Sequence, residues 1–430
     1  MTPVRARAHA TPPWRDLALA AVLASLIAIR IPGPGTPLLF AFGLLCIAFL
    51  GPLIASRREY QPWILLFLAG VGGASVAIIV NGAAVSSIPT SQPFRLLVYT
   101  GALVAWKTIW RCTWQSMTAG IAIGIGALWL QTANTGSPEA TWKYALAFPV
   151  CLMVLLFVDS TKRGSLLAGF CVATLAITAL FFAHRTMALI LIAALVIWSV
   201  ARRRQQLSRT ALFLCAGAFL AIAQVLISSV PQLAEDGALG ATLQRSFAQN
   251  QERSSNVILG GRSELPVSLS AALESPVLGS GMTPQADTDI LNRATGFAQE
   301  LGVAVNDATL RTWINPSSGA VSAHSAIMEF WIVGGALGLI VGIVMVIAFA
   351  RALRPNRSLI TGSLGFTFLL TCSLWDLFFS PYLTGRDLVL AFAVCLVGAS
   401  VSQDRKAESE PRASGPDFPT PHEPLRSTFV

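Results

Sequence analysis

Residues 324–350 read HSAIMEFWIVGGALGLIVGIVMVIAFA. A histidine and a serine close a long polar stretch and an apolar run follows at once, carrying only Glu329 as a charge. A run of this length predicts a helix able to cross a bilayer core, which takes ~20 residues. The histidine then stands at the head of that helix, where a polar loop meets the membrane surface, and its imidazole titrates near neutral pH. The nine residues AIMEFWIVG separate His324-Ser325 from Gly335-Ala336-Leu337-Gly338.

Working outward, the same kind of run recurs along the 430-residue chain, at 17–30, 38–55, 63–80, 94–109, 117–131, 144–158, 165–183, 187–200, 211–229, 326–350, 360–378 and 386–402. The composition is 54% hydrophobic and 12% charged, with mean hydropathy +0.64. A water-soluble domain carries about 25% charged residues. The expected fold is an all-α integral membrane protein of about 12 transmembrane helices with one large extracytoplasmic loop domain. Lipid offers no partner for an open strand edge, which excludes a sheet.

The net charge of +9 raises nucleic acid as a partner, but the basic residues lie mostly in short loops between apolar runs, where they set topology. Nucleic acid is therefore not expected. With the N-terminus in the cytoplasm, every inside loop is basic and 20 of the 30 Lys and Arg fall inside. This places both termini in the cytoplasm. The organisation is then a cytoplasmic segment 1–16, nine helices over 17–229, an extracytoplasmic loop 230–323, three helices over 324–402 and a polar cytoplasmic tail 403–430 expected to be disordered. No small-residue cleavage site follows the first run, so no signal peptide is expected. The seven cysteines lie in or beside apolar runs. They show neither a CxxC pair nor a metal-ligand spacing, so neither a disulfide framework nor a zinc site is supported.

The ten basic residues outside are Arg30, Arg95, Lys143, Arg185, Arg386 and, within the loop, Arg245, Arg253, Arg262, Arg293 and Arg311. An arginine that opposes the topology rule is a candidate for chemistry; headgroup contact is the plainer alternative. Arg185 stands in the short break His184-Arg185-Thr186, and Arg262 follows Gly260-Gly261. Their planar forks suit a diphosphate, and Gly261 lets the backbone approach a ligand closely. His184 and His324 both fall at the expected outer surface, beyond the reach of cytosolic nucleotides, so a substrate there must arrive activated and lipid-linked. His324 is the candidate to take a proton from a hydroxyl, with a helix cap as the alternative; His184 reads as structural. Glu329 is ~140° around a helix from His324 and reads as an anchor for the loop. Asp376 is a candidate as a membrane-embedded acid or the partner of a nearby arginine. A short amphipathic helix is expected over 266–274, followed by a turn-rich return through Gly281, and the loop as a whole reads as a lid or platform. Gly120/Gly124 and Gly338/Gly342 read as close helix-packing pairs.

Together these features resemble the O-antigen ligase and polymerase family of bacterial membrane glycosyltransferases. His324-Ser325-x9-Gly335-x-x-Gly338 is similar to that family's His-[Asn/Ser/Gln]-x9-Gly-x-x-[Gly/Thr/Tyr] motif. Gly261-Arg262 followed by Pro276-Val277-Leu278-Gly279-Ser280-Gly281 is similar to its Gly-Arg segment ending in Pro-Leu-Leu-Gly-Val-Gly. His184-Arg185-Thr186 stands where the family has Ser-Arg-Gly. Pro266 departs from the family's aromatic residue four places after the loop arginine. The resemblance implies a bacterial cytoplasmic-membrane enzyme without metal or cofactor. Its donor would be a polyprenyl diphosphate-linked glycan and its acceptor a lipid or a second glycan. Arg185, Arg262, Gly261 and Ser325 would bind substrate, Arg185 and Arg262 would stabilise the leaving diphosphate, and His324 would act on the acceptor hydroxyl in one inverting displacement. A polymerase of the same family is the near alternative. A transporter or flippase is the distant one, disfavoured by spans that carry little charge at mid-depth.

Overall fold

The computed structural model describes residues 13–31, 36–82, 88, 91–132, 136–161, 165–182, 184–203, 264–301, 310, 314, 319–321, 323, 325–354, 358–379 and 385–409. The regular structure among them is helical: α1 (Pro13–Ala28), α2 (Leu38–Ala55), α3 (Gln61–Val80), α4 (Gln92–Trp110), α5 (Trp114–Thr132), α6 (Pro138–Thr141), α7 (Ala147–Ser160), α8 (Ser165–Phe181), α9 (Arg185–Arg203), α10 (Leu265–Ala272), α11 (Thr288–Glu300), α12 (Ala326–Ala352), α13 (Ser358–Thr361), α14 (Leu364–Phe379) and α15 (Arg386–Ser409). A π-helical turn, Trp142–Leu146, joins α6 to α7. Among the described residues six helical stretches are, by length and composition, apolar enough to cross a membrane: Leu38–Ala55, Gln61–Val80, Pro138–Ser160, Arg185–Arg202, Arg386–Arg405 and, counted across a break at Gly335, Ala326–Ala352. The chain is a multi-pass membrane protein. The expected span 211–229 lies outside the described residues.

Burial sorts the helices. Every residue of α15 from Leu388 to Leu396 is at most 1% exposed, as expected of a helix apolar all round and enclosed by others. On α8, by contrast, Leu166 is 89% and Phe181 77% exposed, the outward face of a helix against lipid. The expected small-residue packing at Gly120 and Gly124 is present: a methyl group at either would stand 2.7 Å from the Ala20 carbonyl or 2.9 Å from the Ala24 carbonyl, so only glycine lets α5 lie this close to α1. At the end of the bundle that holds Arg57 and Trp110, Asp159 of α7 caps α14. Its carboxylate accepts from the Ser363 hydroxyl at 2.5 Å, Leu364 N at 2.8 Å and Gly365 N at 2.9 Å, satisfying orphan donors of a helix start with a negative charge.

The expected single span over 326–350 is instead two pieces. Gly335 has φ 58° and ψ −142°, outside the helical region. Along an unbroken helix Ile327 and Gly342 would be ~22 Å apart, yet a methyl group on Gly342 would lie 3.0 Å from Ile327 Cγ1. Residues 326–334 therefore fold back along residues 336–352. Gly338 and Gly342 are accordingly not contacts between separate helices: a methyl on Gly338 would stand 1.9 Å from the Phe330 carbonyl, within the same hairpin. Such a break orphans backbone groups of α12, and residues 276–281 take them up. Ser280 N donates to Ile332 O at 2.7 Å, Gly281 N to Val333 O at 3.0 Å, and Ala336 N to Val277 O at 2.9 Å. Trp331 Nε1 donates to Pro276 O at 3.0 Å, and Asn81 Nδ2, just past α3, to Gly279 O at 3.1 Å.

Three smaller expectations also shift. Helix α1 begins at Pro13, inside the expected 1–16 segment, and α15 runs on through Ser409 into the expected disordered tail. The amphipathic helix expected over 266–274 is α10, while α11, capped by Asp287 on Ile290 N at 2.8 Å, was not anticipated. The described part of the 230–323 loop has a small core, in which Val267, Ala271, Ile290 and Ala294 meet Ile332 of α12.

Gly335→Ala would add a methyl 2.2 Å from the Val277 carbonyl at a positive φ. It should destabilise the protein by more than about 2 kcal/mol in detergent thermal unfolding. Gly169→Ala, in α8 with nothing within 4 Å, should be neutral or stabilising by about 0.5–1 kcal/mol.

Candidate functional site

At the end of the bundle opposite Arg57, α4 and α12 start below the end of α3. Pro93, the second residue of α4, packs on Gly70, which is ten residues before the end of α3 and so ~15 Å below it along the axis. Val341 also packs on Gly70. The fold-back beside Gly342 therefore carries the first residues of α12 to the middle of α3, not to its end. The sequence suggested little charge at this depth, and the structure corrects that. Arg95, one turn into α4, meets Asp387 of α15 at 2.8 Å and Glu329 of α12 at 3.5 Å, with side chains 15%, 2% and 14% exposed respectively. Next to Asp387, Arg386 pairs with Asp376 of α14 and lies over the Trp129 ring, 4.9 Å from its centroid. One adjacent residue pair at the start of α15 thus joins two ion-pair clusters.

Ser325 ties the re-entrant half of α12 into this network. It caps the helix by accepting from Met328 N at 3.4 Å and donates to Leu377 O at 2.8 Å, beside Asp376. Glu329, read as an anchor for the loop, pairs instead with Arg95 of α4, and the arginine partner read for Asp376 is Arg386. Arg95 and Arg386 were visible in the sequence only as charges opposing the topology rule. Glu329 and Asp387 stand more than 200 positions from Arg95, so the pattern alone could not pair them, whereas Asp376 is only ten positions from Arg386.

His184 closes the gap between α8 and α9. Its N–H donates to Ala179 O at 2.7 Å, and its carbonyl accepts from Met187 N at 3.1 Å. Burial, then Lys143 and Arg386 nearby, push its imidazole down to about 3, so it is neutral at pH 7 and a weak base. Nδ1 is buried without a hydrogen-bond partner. Arg185 is the first residue of α9, where the helix dipole is positive and a cation gains from an anion alongside. The structure thus gathers Arg185, His184, Lys143, Arg386 and Ser325 at one end of the bundle. His324, Gly261 and Arg262, which the sequence placed with them, lie outside the described residues. No group of three or more His, Cys, Asp or Glu among the described residues could hold a metal ion.

Neither a protein-family model nor a curated protein matches this chain.

Two measurements check this electrostatic picture. Arg95→Ala strands Asp387 and Glu329 without their shared cation and should cost about 3–5 kcal/mol in thermal unfolding. The His184 imidazole protonates below about 6.5 in the unfolded chain and only near 3 when folded. Between those values the unfolded state holds the extra proton, so stability falls as pH falls, by at most about 1.4 kcal/mol per unit. His184→Gln should flatten melting temperature against pH from 6.5 down to 4; an unchanged slope contradicts the assignment.

Proposed function

We propose that this protein is a membrane glycosyltransferase of the O-antigen ligase type. It would transfer a polyprenyl diphosphate-linked glycan to an acceptor hydroxyl on the outer face of a bacterial cytoplasmic membrane. The observation that carries this reading is the clamp at Gly335. Two of the stretches that carry the sequence resemblance, 276–281 and the described part of 324–338, are far apart in the chain yet bind each other through their backbones. Gly279 of one motif and Gly335 of the other meet at the contact, which gives these two glycines a physical reason.

In this reading the diphosphate docks near Arg185, with Arg262 as its second arginine and Lys143 and Arg386 adding positive potential. Charge growing on the leaving diphosphate is stabilised by donors already in place. His324, one residue before the anchored Ser325, takes or orients the proton of the acceptor hydroxyl. The new glycosidic bond forms as the anomeric carbon–oxygen bond to the diphosphate breaks, with inversion. The network of Arg95, Glu329 and Asp387 holds the half-helix that presents this histidine.

A transfer assay with lipid-linked glycan and acceptor tests the assignment. His324→Ala should abolish transfer and Arg185→Lys should lower it about 10- to 100-fold through loss of the bidentate contact, both with wild-type melting temperatures. Full activity of His324→Ala would refute the proposal. In a deletion strain, loss of attached chains with build-up of long lipid-linked ones indicates a ligase, and collapse to single repeat units a polymerase.

A second reading gains from one observation. A half-helix ending at mid-depth beside buried ion pairs is also how transporters build substrate sites. Substrate flux in proteoliposomes without any new glycosidic linkage would favour a transporter.

A further inference from the structure

The opposite end of the bundle holds a cavity of about 310 Å3, walled chiefly by Arg57, Tyr60, Lys107, Arg111, Trp114 and Gln403. Its walls come from the turn between α2 and α3, the turn between α4 and α5, and the last turns of α15. Three cations line it against one carboxylate, Glu59, and Asp16 is the carboxylate that acts on Lys107. None of these residues takes part in the site at the His184 end.

The cations are held in place by the fold. The Lys107 ammonium donates to the Cys112 carbonyl and stands 5.1 Å from the centroid of the Trp114 ring. Arg111 ends α4 with φ 48°, the single positive φ among the described residues other than glycine, and its N–H donates to Lys107 O at 3.0 Å. A left-handed conformation is strained for arginine and easy for glycine or asparagine. The chain therefore carries a cation at a position where a smaller residue would fit the backbone better. Beside the cavity, in the last turns of α2 and α4, Leu53, Ile109 and Trp110 are 38%, 44% and 42% exposed.

We propose that this cavity binds the phosphate headgroup of an anionic membrane lipid. Its size sits at the low end of the range for ligand sites, about 300–1,000 Å3, which suits a headgroup. Arginine forks pair with phosphate oxygens, and basic pockets at the ends of membrane helices hold anionic headgroups. Tryptophan at this level matches the interfacial belt of a membrane protein. The exposed apolar residues alongside give an acyl chain a surface, from which a free anion would gain nothing. The site is independent of the glycosyl-transfer reading.

The full-length protein in neutral detergent is examined by native mass spectrometry with dioleoyl phosphatidylglycerol, dioleoyl phosphatidylcholine or inorganic phosphate alone. One phosphatidylglycerol should be retained at concentrations where phosphatidylcholine is not. Arg57→Gln combined with Arg111→Asn should weaken that binding about 25-fold, at about fivefold per arginine. Asparagine accepts the left-handed backbone, so the double variant should melt no lower than wild type in phosphatidylcholine. Arg354→Gln, an exposed cation outside the cavity, should bind as wild type does. Equal retention of the two lipids would overturn the proposal. So would unchanged binding by the double variant, equal weakening by Arg354→Gln, or thermal stabilisation by inorganic phosphate as large as that by phosphatidylglycerol.

Discussion

The constraint on which the rest of this structure depends is that a backbone broken inside an apolar bundle must find its hydrogen bonds elsewhere. Each buried group left unpaired costs about 1–3 kcal/mol in protein mutants, and lipid provides no water to make up the loss. The break at Gly335 is stable because residues 276–281 supply both donors and an acceptor to the open helix ends. Glycine is required on both sides of the contact. A methyl on Gly279 would stand 2.4 Å from Gly335 N, and one on Gly335 2.5 Å from Gly279 N. The approach is backbone to backbone, and no side chain fits between.

The buried charges follow from the same break. By turning back, residues 326–334 bring Glu329 to Arg95 and Asp387 at the middle of α3. Buried ion pairs add little net stability, because desolvation offsets most of their attraction, but stranding one partner is costly. They therefore act less as glue than as a constraint on geometry: α4, α12 and α15 can meet in only one register. Arg386, pinned between Asp376 and the Trp129 ring, fixes α14 against α15 in the same way, and its charge adds to burial and Lys143 in disfavouring a proton on His184.

Much of this was legible in the sequence, and what was not has a physical explanation. Hydropathy located the helices, because a buried or lipid-facing helix has to be apolar wherever it runs. The Gly120/Gly124 pair was legible because its reason is local, a close approach by one neighbouring helix. The break in 326–350 was not, since a glycine in an apolar run looks the same in a straight helix as at a positive φ. What decides between them is a partner segment about fifty residues upstream. Ion pairs were legible only where they are local: Asp376 and its arginine stand ten positions apart, whereas Arg95 meets acids that only the fold brings to it. Asp159, which caps α14 from more than 200 positions away, carries no sequence signal at all.

The clamp also has an order in time. As the chain leaves the ribosome, α3 and then residues 276–281 emerge before α12, so the seat for the broken helix is complete when its occupant arrives. Ser325 must still wait for Leu377 to be made before its hydroxyl finds an acceptor. Until then the nine-residue half-helix, at ~13 Å too short to cross the bilayer, is held by its contacts with 276–281, by Arg95 and by the small core beside Ile332. The last two helices thus act as the latch on a door already hung.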